Sequence, residues 1–366
     1  MLNLLVSPSC RYDVFVMKAA LLTGRGGFVV KEVERPECGP GEVLIRVKAC
    51  GVCGTDLRIF RGEKRVDVPI TGHEVSGVIE DVGEGVKDLS IGDRVIIETV
   101  IGCGECDACR RGEENRCRRG FKAIGYQYNG GYAQFLLMPR EAVRQGCVIK
   151  IPDNVSFDEG TIVEPFSCII NGWSPFKERE PGFTTVVIGA GIIGMLHVEY
   201  AKLKGSRVIL VNRTAPRLEL AKKIGLPADE FVDKSECDPV ERVMELTDGL
   251  GADVVICAAS SKDVQVEALR MAAVDADVSF FAGLPKSDPN VLLNTNLIHY
   301  KELHVHGANS SNRRQYLRAL DLIASGQVNV RKFITHRFPL ERINEAFDYL
   351  QDRSKNALKI IIDPWI

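Results

Sequence analysis

The chain reads as an α/β protein in two parts, one rich in β-strands and one a doubly wound parallel sheet. Three observations predict this. Residues 17–160 carry short alternating runs set apart by Gly-Glu and Gly-Asp turns, the pattern of a compact antiparallel β domain. From about residue 183 apolar runs of strand length alternate with helix-length amphipathic segments, the pattern of a parallel sheet covered by helices. The length of 366 residues suits two domains.

In chain order, the first part is expected to place strands over 17–22, 42–48, 75–82 and 93–98. Residues 1–16, ahead of the first convincing strand, read as a disordered extension or an upstream mis-start. The second part is expected to place strands at 184–188, 207–211, 254–257 and 278–281, with helices at 192–204 and 215–224. After about 308 come a helix over 313–324, an extended stretch at 334–338, a helix over 341–352 and a last strand at 358–362. No internal repeat or low-complexity linker interrupts this order.

Composition narrows the function. Hydrophobic residues make up 45% and charged residues 26%, enough apolar content for a full core. The net charge of −2 gives no reason to expect nucleic-acid or acidic-membrane binding. No apolar run approaches the ~20 residues needed to span a bilayer. The N-terminus lacks a basic region before its short apolar stretch, so no secretory signal is expected and the setting is cytoplasmic. In that setting the twelve cysteines stay reduced.

Four of those cysteines, Cys103, Cys106, Cys109 and Cys117, fall in one polar stretch with the spacing C-x2-C-x2-C-x7-C. A tetrahedral zinc needs four soft ligands at roughly 2.3 Å from one point, and close spacing on a tight loop supplies them with little chain to order. A closed structural zinc lobe is expected. Cys10, Cys38, Cys50, Cys147, Cys168, Cys237 and Cys257 read mostly as small core residues.

The nucleotide motif is Gly189-Ala-Gly191-Ile192-Ile193-Gly194, directly after an apolar strand and opening a helix. In that context the glycines permit a tight turn, close approach to a pyrophosphate, and close helix–strand packing. The pyrophosphate would rest on the amides of the helix N-terminus. At the end of the second strand, where NAD-binding chains place an acid, stand Asn212 and Arg213, with Arg217 close by. No acid there repels a 2′-phosphate, and Arg213 could pair with one. The alternative has Asn212 bonding the ribose and Arg213 facing solvent. NAD or NADP is expected.

The chemistry belongs to the first part. Cys53-Gly-Thr55-Asp56 and Gly72-His73-Glu74 stand twenty residues apart, and Glu164-Pro165 follows much later. Cysteine, histidine and glutamate side chains could hold a zinc with one position open for substrate.

These motifs, in this order, resemble the zinc-containing medium-chain dehydrogenase/reductases, the alcohol dehydrogenase superfamily, and most of all its sorbitol (polyol) and threonine dehydrogenase branch. The resemblance runs from about residue 17 to the C-terminus. It implies a GroES-like catalytic domain over 17–165 and 308–366 and a Rossmann domain over 166–307. It implies a zinc-dependent, NAD(P)-linked dehydrogenase in which Cys53 and His73 ligate a catalytic zinc, with Glu74 a ligand or close neighbour. Glu164 stands where polyol-type members carry a glutamate and ethanol-type members a cysteine, which favours a polyol or sugar-like substrate; L-threonine 3-dehydrogenase is the runner-up. Thr55 matches the hydroxyl that passes on the substrate proton, and Asp56 is expected to orient the zinc shell or brace the nicotinamide side. Two bound glutamates beside Cys53 would make the zinc site net negative, so one, Glu164, is expected to exchange with water. A zinc-free quinone reductase of the superfamily would lack Cys53, His73 and the cysteine lobe. The family also implies a homodimer or homotetramer.

One position departs from the family pattern. The proton relay of many members ends in a histidine five residues after the ligand cysteine, and here that residue is Arg58, which cannot release a proton near neutral pH. Residues 58–65 form a locally basic run. One reading makes it a solvated surface strand; the other, a contact for an anionic substrate such as a sugar-alcohol phosphate.

Overall fold

A computed structural model describes residues 15–24 and 26–366. The expectations for residues 1–14, Cys10 included, lie outside the described residues. The first part comprises β1 (Val16–Leu22), β2 (Phe28–Glu34), β3 (Val43–Gly51), α1 (Gly54–Phe60), β4 (Glu74–Val82), β5 (Arg94–Ile97), β6 (Val100–Ile101), α2 (Asp107–Arg110), β7 (Lys122–Ala123), β8 (Phe135–Met138), α3 (Arg140–Arg144) and β9 (Val148–Lys150). Helix α4 (Phe157–Trp173) leads to β10 (Thr184–Ile188), α5 (Ile192–Leu203), β11 (Arg207–Asn212), α6 (Ala215–Lys223), β12 (Glu230–Asp233), α7 (Pro239–Leu246), β13 (Ala252–Cys257), α8 (Lys262–Met271), β14 (Ala272–Phe280), α9 (Thr295–Tyr300) and β15 (His304–Gly307). The chain closes with α10 (Arg313–Ala324), β16 (Ile334–Pro339), α11 (Ile343–Gln351) and β17 (Lys359–Asp363).

The second part is a six-stranded parallel sheet of order β12-β11-β10-β13-β14-β15. The order reverses between β10 and β13, and ligands of such sheets bind in the crevice beyond the carboxyl ends of the strands at that point. Strand β10 is apolar in succession (Val186, Val187 and Ile188 are all buried) because both its faces are covered.

The first part is a sheet of order β16-β17-β3-β4-β5-β9, with β8 also paired to β3. Strands β16 and β17 thus return from the end of the chain to the first sheet. Behind α1, Phe60 packs against Phe347 of α11 with ring centroids 4.9 Å apart, and Phe28 against Phe347 at 5.1 Å. This aromatic cluster seats α1; truncating a buried Phe of this kind to Ala costs ~3–5 kcal/mol.

Several details differ from the sequence expectation. Residues 58–60 are not a surface strand but the last turn of α1, because Cys53 and Asp56 form a capping box that starts a helix there. Helix α4 was not anticipated. It is buried on nearly every face, so it lacks amphipathic periodicity. Its start is nonetheless encoded: Ser156 Oγ accepts from Glu159 N at 3.2 Å, and the Glu159 carboxylate accepts from Ser156 N at 2.9 Å. The expected division at 165/166 falls inside this helix, which packs on β3 and β4 and also on α5 and α10. Strand β14 starts six residues earlier than expected, continuing directly from α8. Among the remaining cysteines, Cys50, Cys147 and Cys257 are buried, Cys38 and Cys168 are half-buried, and Cys237 is exposed. No helix among the described residues is long and apolar enough to cross a membrane.

Candidate active site

The site starts from a strand pairing. In the antiparallel register of β3 and β4, Gly51 lies opposite Glu74. The chain leaves β3 through Cys53 and enters β4 through His73, so residues twenty apart in sequence meet at one end of the sheet. A Cβ on Gly51 would lie 2.1 Å from Glu74 Oε2 and 3.2 Å from its Cβ, so a larger residue there would displace the Glu74 carboxylate. Gly72 takes φ +92° just before His73, a conformation other residues rarely adopt, and a Cβ there would also crowd Cys50 and Tyr132.

Ligand atoms of Cys53, His73 and Glu74 all lie within 4.8 Å of one another. Asp56 holds this group in place. Its Oδ2 accepts from Cys53 N at 3.0 Å and from the Tyr132 hydroxyl at 2.9 Å, while Oδ1 lies 3.3 Å from His73 Nδ1. A histidine anchored at Nδ1 offers Nε2 outward, the arrangement of a metal ligand with its supporting carboxylate. Burial disfavours charge on His73, but Tyr126, Asp56 and Cys53 outweigh it and carry its pKa well above the ordinary value. An imidazole pulled so strongly towards a positive charge suits a cation in place of the proton. Asp56 is itself buried, yet His73 and its hydrogen bonds keep its pKa below the usual range.

Glu74 shares an ion pair with a residue that sequence reasoning missed. Lys359 of β17 donates to Glu74 Oε2 at 2.5 Å and to Val52 O at 3.3 Å. Glu74 Oε1 is buried without a hydrogen-bond partner. An orphaned buried carboxylate oxygen beside a thiol and an imidazole fits a bound zinc. A lysine inside the apolar 357–362 run was the available clue.

Glu164 lies on α4, close enough for His73, Glu74, Lys359 and Asp56 to act on its charge, but it does not join the set of mutually close ligand atoms. Burial raises its pKa to about 7; His73 and Lys359 pull it down, while Glu74 and Asp56 push it up. Cys168 was expected to be a core residue. One helical turn beyond Glu164, its Sγ instead lies 3.8 Å from Glu164 Oε1 and 3.8 Å from Ser311 Oγ. Thr55 is half-buried on the first turn of α1, and its amide donates to Cys53 Sγ at 3.4 Å. Arg58 lies 3.8 Å from Glu63.

The cysteine lobe forms a second group. Cys106 Sγ lies 3.5 Å from Cys109 Sγ and 4.0 Å from Cys117 Sγ, and Cys103 Sγ 3.9 Å from Cys109 Sγ. Four sulfurs this close, without disulfides, fit one tetrahedral zinc. Backbone amides lower the Cys106 thiol pKa to about 6, towards the thiolate a metal needs.

In the nucleotide crevice each glycine has a distinct task. Gly189 turns with φ +119°, and a Cβ on Gly194 would lie 1.7 Å from Gly189 O. Gly191 caps α5 facing open space, which leaves Ile192 and Ile193 to begin the helix. Asn212 is occupied within the loop: its Oδ1 accepts from Ala190 N at 3.0 Å, and its Nδ2 donates to Thr214 O at 2.9 Å. Arg213 is exposed. Arg217 is half-buried; burial lowers its pKa, and its Nη1 is enclosed without a partner.

Comparison with known proteins agrees with this geometry. Residues 39–153 match the alcohol dehydrogenase GroES-like domain and residues 193–325 the zinc-binding dehydrogenase family. A sorbitol dehydrogenase of Halalkalibacterium halodurans is 33% identical over 95% of this chain and 99% of its own. An L-threonine 3-dehydrogenase of Thermococcus kodakarensis is 32% identical over 92% of this chain and 95% of its own. A Sinorhizobium meliloti protein described as a zinc-binding dehydrogenase and solved bound to NADP has the same fold, with a TM-score of 0.85, 31% identity, and coverage of 96% of this chain and 100% of that one. With relatives matched nearly end to end, the chain belongs to the zinc-containing medium-chain dehydrogenases and is an NAD(P)-linked alcohol dehydrogenase.

Proposed function

We propose that this dehydrogenase interconverts the secondary alcohol of a polyol or sugar-like substrate and the corresponding ketone, working in the cytoplasm as a homodimer or homotetramer. The observation that carries the reading is the convergence of Cys53, His73 and Glu74 in one buried group, with Glu164 on α4 beside them. A zinc bound there supplies Lewis acidity that lowers the pKa of a substrate hydroxyl. NAD(P) supplies the hydride acceptor.

Each residue then has a task. Cys53 and His73 anchor the metal, and Asp56 fixes the imidazole. Glu74, tied by Lys359 at one oxygen, is the steady carboxylate, and Glu164 is the exchanging one. Lys359 also offsets the charge of Glu74, so the two carboxylates and Cys53 do not overload the site with negative charge. Thr55 takes the substrate proton. Arg58 cannot continue the relay as an acid or base, so the proton leaves through water. Cys103, Cys106, Cys109 and Cys117 hold a second, structural zinc. The catalytic domain is taken as 17–165 with 308–366 and the Rossmann domain as 166–307, with α4 spanning their junction.

For the cofactor, Gly189, Gly191, Ile192, Ile193 and Gly194 receive the pyrophosphate at the start of α5. Asn212, Arg213 and Arg217 line the adenosine ribose and admit a 2′-phosphate. L-threonine is the second substrate reading, supported by likeness to threonine dehydrogenases.

A screen of polyols, sugar phosphates and L-threonine with NAD and NADP tests the substrate. His73→Ala tests the centre: zinc should fall from two ions per chain to one, with loss of turnover. Full activity in that variant would overturn the reading.

A further inference from the structure

We propose that Lys64 is a specificity residue that receives an anionic group of the substrate, a phosphate ester or a carboxylate, beside the metal site. This rests on the dehydrogenase reading above and names a chemical feature of its substrate.

The basic run after α1 is not uniform. Arg58 and Arg61 both face Glu63, at 3.8 and 4.0 Å, and Arg61 also donates to Gln351 at 3.0 Å. Lys64 is different. Its amide donates to Arg58 O at 3.3 Å, which folds the turn so that the side chain runs inward and is half-buried. Among the described residues, no carboxylate lies within ion-pair distance of its ammonium. The ammonium instead sits 4.3 Å from the centroid of Tyr126. The Tyr126 ring is 5.3 Å from that of His73, and its hydroxyl is 3.5 Å from His73 Nδ1. Lys64 is therefore one aromatic ring away from the candidate metal ligands.

The surrounding charges complete the argument. Besides burial, Lys64 feels Cys53, Arg58, Asp56 and Lys286. Cys53 and Asp56 are already engaged in the metal site. Lys286, an exposed residue of the loop after β14, adds a second cation from the opposite sheet. A partly desolvated, unpaired cation is costly, and a cation–π contact offsets only part of that cost. An oxyanion arriving with the substrate would satisfy it, and a charge-assisted hydrogen bond of this kind is worth roughly a 10- to 100-fold change in affinity.

The test uses zinc-loaded protein and two substrate pairs, each differing in the anionic group: sorbitol against sorbitol 6-phosphate, and L-threoninol against L-threonine. The readout is the ratio of kcat/KM for the anionic to the neutral member, so any general loss of activity cancels. Wild type should favour the anionic member in one pair, Lys64→Met should lower that ratio by roughly 10- to 100-fold, mainly through KM, and Lys64→Arg should largely keep it. The pair that responds identifies the source, phosphate ester or carboxylate. A ratio unchanged within about twofold in both pairs, a wild-type preference for the neutral member in both, or an effect on coenzyme KM alone would overturn the proposal. If no member is turned over, the substrate reading fails, and calorimetric binding of inorganic phosphate and acetate decides the role of Lys64: binding weakened about tenfold or more in Lys64→Met upholds it, and equal binding overturns it.

Discussion

Lys359 and Glu74 form an ion pair of 2.5 Å in which both side chains are at most 1% exposed. A pair this enclosed contributes little net stability, but losing one partner strands a charge in the interior. Lys359→Met should therefore destabilise the protein by ~3–5 kcal/mol in urea unfolding. Lys359→Met with Glu74→Gln should recover part of that loss. A double-mutant cycle with no coupling between the two would show that the pair is not held as described.

Glu164 sets a pH dependence. Its pKa of about 7 in the folded chain stands above the ordinary 4.5. Between those values the folded state binds more protons than the unfolded chain, so this contribution is complete below pH 4.5 and is lost as pH rises to about 7. The upper bound is roughly 3 kcal/mol, reduced by whatever relaxation lets water reach the ionised carboxylate. In zinc-free protein, stability should fall over that window, and Glu164→Gln should flatten the slope. An equal slope in the variant would refute the assignment. In zinc-loaded protein Glu164→Ala should keep both metals but alter the rate and its pH profile.

The cysteine lobe should be separable from the chemistry. Cys106→Ser should remove one zinc per chain and lower Tm while leaving the ranking of substrates intact. Metal analysis and a thermal scan suffice. A variant with full zinc content and full stability would contradict a closed four-sulfur site.

Asn212 and Arg217, proposed to line the adenosine ribose, are expected to set cofactor choice. Asn212→Asp keeps an acceptor for Ala190 N but introduces a charge that repels a 2′-phosphate. KM for NADP should rise roughly tenfold or more, with NAD spared. Arg217→Ala should weaken NADP more than NAD. A wild type with no NADP activity or binding would refute the argument.

The legible parts of the fold were those with strong local patterns. Strand β10 and helix α10 are periodic or continuous, and they occupy the residues their patterns mark. The two groups of candidate ligands could be found because cysteine and histidine are rare and their spacing is informative. What escaped depended on contacts remote in sequence. Helix α4 has no polar face to reveal it. Lys359 reaches Glu74 across 285 residues, and Cys168 reaches Ser311 across 143. Of the two readings of residues 58–65, the surface strand fails at residues 58–60 because the capping of α1 starts a helix that runs through them.

Asp56 closes the start of α1, receives the Tyr132 hydroxyl and steers His73. One carboxylate thus answers to three unrelated demands, and no single neighbouring change can relieve all of them. Descent with changing substrates should therefore leave position 56 fixed while positions such as 58 and 64, each bound by fewer obligations, drift around it. The history of such a lineage would be written on the rim of the cleft, with its floor nearly silent.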